Sequence, residues 1–109
     1  MEPASLPSSP PAPEVLRVHA GAACALLKAL SNTDRLMLLC CMGAERRNVG
    51  ALEAATGIHQ PSLSQQLAVL RQEGLVTAEK EGKYVYYRLS DPKALRLMQT
   101  LAEIFCAAP

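Results

Sequence analysis

V-G-A-L-E-A-A-T-G-I-H-Q-P-S-L-S-Q-Q-L-A-V-L-R-Q-E-G-L-V, running from Val49 to Val76, decides the fold. Its first eight residues carry helical spacing and stop at Gly57, and Pro61 suits the first turn of a second helix, where its missing N–H would have no intrahelical partner. In that helix, which runs from about Pro61 to Glu73 and is stopped by Gly74, Leu63, Leu67 and Leu70 fall at i, i+4 and i+7 and share one face. Ser62, Ser64, Gln65 and Gln66 point elsewhere, as short donors and acceptors suited to base edges and phosphates. Two helices joined by a tight turn, one apolar inward and polar outward, read as a helix-turn-helix that touches DNA.

Upstream, Val15, Val18, Ala22, Cys24, Leu26, Leu27 and Leu30 give a broad apolar helix that ends at Ser31-Asn32. A second helix starts near Thr33 or Asp34 and carries Leu36, Met37, Leu38, Leu39, Cys40 and Cys41 before Gly43 ends it. Apolar all round, it is expected to be a buried strut. Downstream, Val76 to Lys80, the turn Glu81-Gly82-Lys83 and the alternating run Tyr84 to Leu89 read as a hairpin, or wing. Asp91-Pro92 then opens a last helix with Leu95, Met98, Leu101, Ala102 and Phe105 on one face. Four helices, two strands and a final helix make a mainly α, winged helix-turn-helix fold. Residues 1–12, rich in Pro and Ser, are expected to be a disordered arm, and residues 13–109 the DNA-binding and dimerisation domain.

At 109 residues, half of them hydrophobic, the chain can hold one core, and a domain this small gains from a partner subunit. The apolar first and last helices are the expected homodimer interface, and a two-fold pairing would set the reading helices roughly 34 Å apart, one DNA turn. No apolar run approaches the roughly 20 residues of a membrane span, and the acidic, proline-rich start differs from the basic stretch and apolar core expected of a signal peptide. A cytoplasmic protein is expected. A net charge of +1 says little about nucleic acid, since a phosphate-binding face needs only local cations. Arg71, Lys80, Lys83 and Arg88 supply them, interleaved with Glu73, Glu79 and Glu81.

The candidate DNA contacts are Gln60, Ser62, Ser64 and Gln65, then Gln66, with Arg71, Lys80 and Lys83 on phosphates or in the minor groove. Glutamine pairs bidentately with adenine, so an operator palindrome containing A·T pairs is expected. His59 fits either a solvated turn or a phosphate contact. Tyr84, Tyr86 and Tyr87 fit wing packing better than base stacking, because a duplex offers no splayed bases.

Four cysteines remain. No C-x-x-C pair, nucleotide loop or His/Asp constellation accompanies them, so an enzyme such as a small thiol oxidoreductase is disfavoured and no cofactor is implied. Cys24 fits a small core hydrophobe, and Cys41 fits packing or a reserve thiol. Cytosolic thiols stay reduced, so a distant pair in an intracellular protein is more readily a redox switch than a staple. A soft-metal or arsenite site built from the four thiolates is the alternative.

The runs L-L-K-A-L-S-N-T-D-R-L-M-L-L-C, H-Q-P-S-L-S-Q-Q-L-A-V-L-R-Q-E-G-L-V and Y-V-Y-Y-R-L-S together resemble the ArsR family of bacterial repressors, over about Ala22 to Cys106. The resemblance implies a homodimer that represses an operon and releases its operator when an inducer binds. Metal-sensing relatives carry cysteines in the helix before the reading helix, or Asp and His ligands on the last helix. Here Val49 to Thr56 has neither Cys nor His and no His follows His59, so no metal site of those kinds is implied. Many relatives have a histidine where Gln66 stands.

Cys40 and Cys106, flanked as L-M-L-L-C and E-I-F-C, resemble the paired cysteines of the BigR/SqrR group, repressors of sulfide-detoxification genes. That likeness implies thiols that react with persulfides and become joined by a di- or polysulfide within one subunit. Both cysteines lie late in their helices, where the backbone dipole disfavours an anion, and Glu103 precedes Cys106 by one turn. Arg46, Arg47 and His19 are the groups that could approach Cys40. Selectivity is then expected to come from attack on an already electrophilic sulfur.

Overall fold

A computed structural model describes residues 12–43 and 45–106, so the expected arm lies outside the described residues except for Ala12. Helix α1 (Pro13–Leu30) has Pro at its start and Glu14 in its first turn, and buries only its end, Ala29 and Leu30. Helix α2 (Thr33–Cys41) is capped by Asn32, whose side chain accepts from the Arg35 backbone N–H at 3.0 Å. The cap is thus one residue earlier than the sequence pattern suggested.

A short strand, β1 (Arg47–Asn48), leads into α3 (Val49–Thr56). Asn48 caps α3 by accepting from the Ala51 N–H at 2.8 Å. Helix α4 (Ser62–Gln72) begins with Pro61 at its N-cap and closes on a Schellman motif. There the Leu75 N–H donates to the Leu70 carbonyl, and that of Gly74 to Arg71. Gly74 supplies the left-handed backbone this ending requires, with φ 77°.

Strands β2 (Val76–Glu81) and β3 (Tyr84–Leu89) form the wing hairpin, and helix α5 (Pro92–Phe105) follows. The sheet has the order β1-β3-β2, all antiparallel, with Arg47 opposite Tyr87 and Val76 opposite Leu89. The winged helix-turn-helix architecture is therefore as expected, with a third strand added. Two residues are too few to show strand alternation, so β1 had no sequence signal.

The core is built on α2, α3 and α4: Leu38, Leu39, Met42, Leu52, Leu63, Leu67 and Leu70 are essentially inaccessible. Leu75 and Val76 extend it to the wing, and Ala94 brings in α5. The expectation that α2 is buried all round fails. Leu38 and Leu39 face the core, but Met37 and Cys40, on the opposite side of the same short helix, are exposed within one chain. Cys24, expected in the core, is likewise exposed on α1.

Candidate nucleic-acid interface and thiol cleft

Burial of Leu63, Leu67 and Leu70 turns the opposite side of α4 outward. Gln60, Ser64, Gln65 and Arg71 are exposed, and Ser62 and Gln66 are half-buried. Gln60 precedes the helix and its Oε1 accepts from the Ser64 N–H at 3.0 Å, satisfying one of the donors that the first turn leaves without an intrahelical partner. His59 Nδ1 lies 2.8 Å from Glu53 Oε2 and ties the turn to α3. An open hollow of about 340 Å³ separates α4 from the wing, lined by Ser64, Leu67, Ala68, Arg71, Gln72 and Tyr87.

The wing owes its shape to a two-residue turn in which Gly82 takes a φ of 64° and Lys83 does not, the pattern of a type II′ hairpin. Tyr84 and Tyr86 meet edge to face at 6.4 Å, and Arg46 lies 4.3 Å above the Tyr86 ring, so these rings pack on the wing as expected. Arg46 also bonds Glu81 at 2.6 Å and Glu79 at 3.4 Å, and Arg88 bonds Glu79 at 3.1 Å. The wing's two carboxylates are thereby matched by Arg46 and Arg88. Lys80 and Lys83 sit on the same hairpin and pair with no carboxylate among the described residues. Arg88 is committed inside this network, whereas the sequence counted it among the available cations.

Beside α4 lies a link that the sequence pattern did not disclose. The Arg35 guanidinium donates from Nε to the Ala29 carbonyl at 2.6 Å, from Nη2 to that of Lys28 at 3.2 Å, and from Nη1 to Gln66 Oε1 at 3.0 Å. One side chain on α2 thus joins the last turn of α1 to α4. Nothing in the residue pattern around Arg35 announces it, since the cap itself was expected at Thr33 or Asp34.

Away from this surface, α2 and α5 enclose an apolar cleft of about 260 Å³. Cys40 and Cys106 both line it, with Leu36, Met37, Met98, Leu101, Ala102 and Phe105 completing its walls. Cys41 points away from this lining and is half-buried. Burial pushes its thiol above the usual range and the adjacent Cys40 adds to the rise, while Arg47 opposes it. Arg47 donates from Nε to the Cys41 carbonyl at 2.6 Å. Of the three groups expected to approach Cys40, Arg46 is therefore held on the wing and Arg47 sits at Cys41. His19 lines a different hollow, beside Glu73 and Asp91. Among the described residues, no three His, Cys, Asp or Glu side chains gather as a metal-binding group, and no helix is long and apolar enough to cross a membrane.

Residues 24–78 match the family described as bacterial regulatory protein, arsR family. Over 82 residues the chain is 50% identical to the biofilm growth-associated repressor of Agrobacterium fabrum, covering 75% of this chain and 70% of that protein. The solved structure of the transcriptional repressor BigR from Xylella fastidiosa superposes with a TM-score of 0.85 at 43% identity, over 90% of this chain and 100% of that one. A homodimeric winged helix-turn-helix DNA-binding domain from Mycobacterium bovis matches with a TM-score of 0.69 at 29% identity, over 88% of each chain.

Proposed function

This chain belongs to the arsR family of bacterial regulatory proteins, and from that premise we propose that it is a homodimeric, dithiol-based transcriptional repressor. In this reading α4 reads a palindromic operator and the wing holds its flanking phosphates. Linking Cys40 to Cys106 with reactive sulfur releases the DNA, and the genes controlled are those of sulfide detoxification. The family supports the DNA-binding repressor. The observation that carries the inducer is the shared cleft: two thiols from distant parts of the chain line one small apolar space between α2 and α5.

The chemistry balances with a persulfide as the oxidant. One thiolate attacks the outer sulfur of the persulfide and expels its organic thiol, leaving a persulfide on that cysteine. The second cysteine attacks the inner sulfur of the new group, the bond between its two sulfurs breaks, and hydrogen sulfide leaves with the remaining protons. The net result is one intrasubunit disulfide, one organic thiol and one hydrogen sulfide for each persulfide consumed. A second sulfur transfer before closure gives the trisulfide instead.

Two-fold pairing is supported by the large apolar side chains that one chain leaves uncovered on its first and last helices, with Val18 79% and Phe105 78% exposed. The thiol cleft is partly walled by α5, so a link that draws α2 and α5 together acts on an element of that pairing surface. A coupling of about 1 to 3 kcal/mol corresponds to a 5- to 150-fold change in affinity, enough for derepression.

The test compares operator binding by reduced, polysulfide-treated, peroxide-treated and arsenite-treated protein, with intact-mass analysis of each. Loss of binding with a Cys40–Cys106 link after polysulfide is the expected result. Release by arsenite with no sulfur link would replace the reading with soft-metal sensing, and equal cross-linking by peroxide would remove the selectivity for reactive sulfur.

A further inference from the structure

Three glutamines, Gln60, Gln65 and Gln66, lie just before or in the first half of α4, and their amides are not equivalent. Gln65 is exposed and its side chain bonds no protein group among the described residues, so its amide can present either end. Gln60 Oε1 is turned to the Ser64 backbone N–H. Gln66 Oε1 is turned to Arg35, and this second constraint is the more informative one.

A guanidinium carries five donors and no acceptor, so only the oxygen end of a carboxamide can face it favourably. Arg35 is itself held in place by the carbonyls of Lys28 and Ala29, and its own backbone N–H bonds the Asn32 cap. The guanidinium therefore meets Gln66 already oriented. A flipped amide would set its amino group against cationic N–H, so the nitrogen end is turned away from Arg35, and it bonds no protein group among the described residues.

We propose that Arg35 is a positioning residue for operator recognition, which fixes the polarity of the Gln66 carboxamide so that it offers DNA a hydrogen-bond donor. The proposal rests on the reading of α4 as the operator-reading helix. The complementary base edges are acceptors: guanine O6 and N7, adenine N7 or thymine O4, all in the major groove. The exposed N4 amino group of cytosine is the edge it disfavours. Arg35 touches no base in this scheme and acts only through Gln66.

The experiment selects the preferred duplex with wild-type protein from a randomised pool. It then measures binding of that duplex and its single-base-pair variants by wild type, Arg35→Lys, Gln66→Ala, the double variant and Gln66→Glu. Thermal unfolding is recorded for each protein. Lysine keeps the charge but lacks the fork that reaches both α1 carbonyls and Gln66 together. Arg35→Lys and Gln66→Ala are expected to relax the preference at the same base pair of each half-site by about 3- to 10-fold, the size of one hydrogen bond, with no further loss in the double variant.

Gln66→Glu keeps an oxygen for Arg35 and replaces the outward donor by an acceptor, so it guards against a fold damaged at Arg35. Its expected signature is a preference at that base pair shifted toward cytosine. A uniform loss across all duplexes, effects of Arg35→Lys and Gln66→Ala that multiply, or an unchanged preference in Gln66→Glu would each overturn the proposal. A wild-type protein that enriches no sequence would overturn the DNA-reading assignment itself, and the proposal with it.

Discussion

Cys40 ends the exposed side of α2 and Cys106 caps α5, and although 66 positions separate them in sequence they line the same apolar cleft. Leu38 and Leu39, immediately before Cys40, anchor that end of α2 in the core, whereas α5 enters the core mainly through Ala94 at its other end. The two thiols therefore lie between a helix anchored in the core and an end of α5 that is largely exposed within one chain. A covalent link across the cleft would move α5 in preference to α2.

Single replacement of either cysteine separates linking from binding. Cys40→Ser and Cys106→Ser are each expected to retain reduced-state operator affinity within about 2-fold, because both positions are exposed within one chain and away from α4. Neither variant should form the intrasubunit link or release DNA after polysulfide. Intact mass and fluorescence anisotropy of the same samples check both halves.

Cys41 should behave differently from its neighbour. Its thiol is pushed up chiefly by burial, so a larger share stays protonated at neutral pH than in an ordinary thiol, and the reactive thiolate develops only as pH climbs beyond the usual thiol range. In a variant retaining Cys41 alone, the alkylation rate with iodoacetamide should rise with a midpoint above that of a model thiol. A midpoint at or below the model thiol would contradict the structure. Sulfur transfer to Cys41 at neutral pH is expected to be slower than to an ordinary thiol.

Much of this was legible in the residues because it depends on period. Leu63, Leu67 and Leu70 announce the buried face of α4, and Gly74 announces its end, since only local geometry is needed for either. What period cannot convey is which side of an apolar helix meets solvent. Leu38 and Cys40 both look like core in a hydropathy pattern, and only packing against α3 and α4 distinguishes them. The Arg35 link was equally hidden, because two of its acceptors are backbone carbonyls, which carry no residue-type signal. The two-residue strand β1 is too short for any pattern, yet it lays Asn48 against Tyr86 and so joins the start of α3 to the wing.

Charge placed on the uncovered apolar helices should break the subunit pairing before it breaks the fold. Val18→Asp and Phe105→Asp alter side chains that are mostly exposed within one chain, so each should leave the helical circular dichroism of the domain in place. Sedimentation velocity should show the dimer shifting toward monomer at micromolar concentration. Operator affinity should fall by more than about 10-fold, since one reading helix alone makes few phosphate contacts. A dimer that survives both substitutions would move the interface elsewhere.

The wing offers a test in which charge, not shape, is the variable. Glu79 lies between Arg46 and Arg88, at 3.4 and 3.1 Å, so Glu79→Gln uncovers positive charge without adding a cation. Lys83→Ala removes a cation from the turn of the same hairpin. If the wing lies on the phosphate backbone, Lys83→Ala should weaken binding to all duplexes alike and flatten the slope of log K against log salt by about 1. Glu79→Gln should do the reverse, raising affinity for non-specific duplex at low salt and steepening the slope. Glu81 still holds Arg46 at 2.6 Å in that variant, so the hairpin keeps one of its ties and its stability should change little. Salt titrations of wild type and the two variants on a random-sequence duplex measure the effect directly. Opposite changes in slope locate the wing on the phosphates, whereas identical slopes for all three proteins would place it away from the DNA.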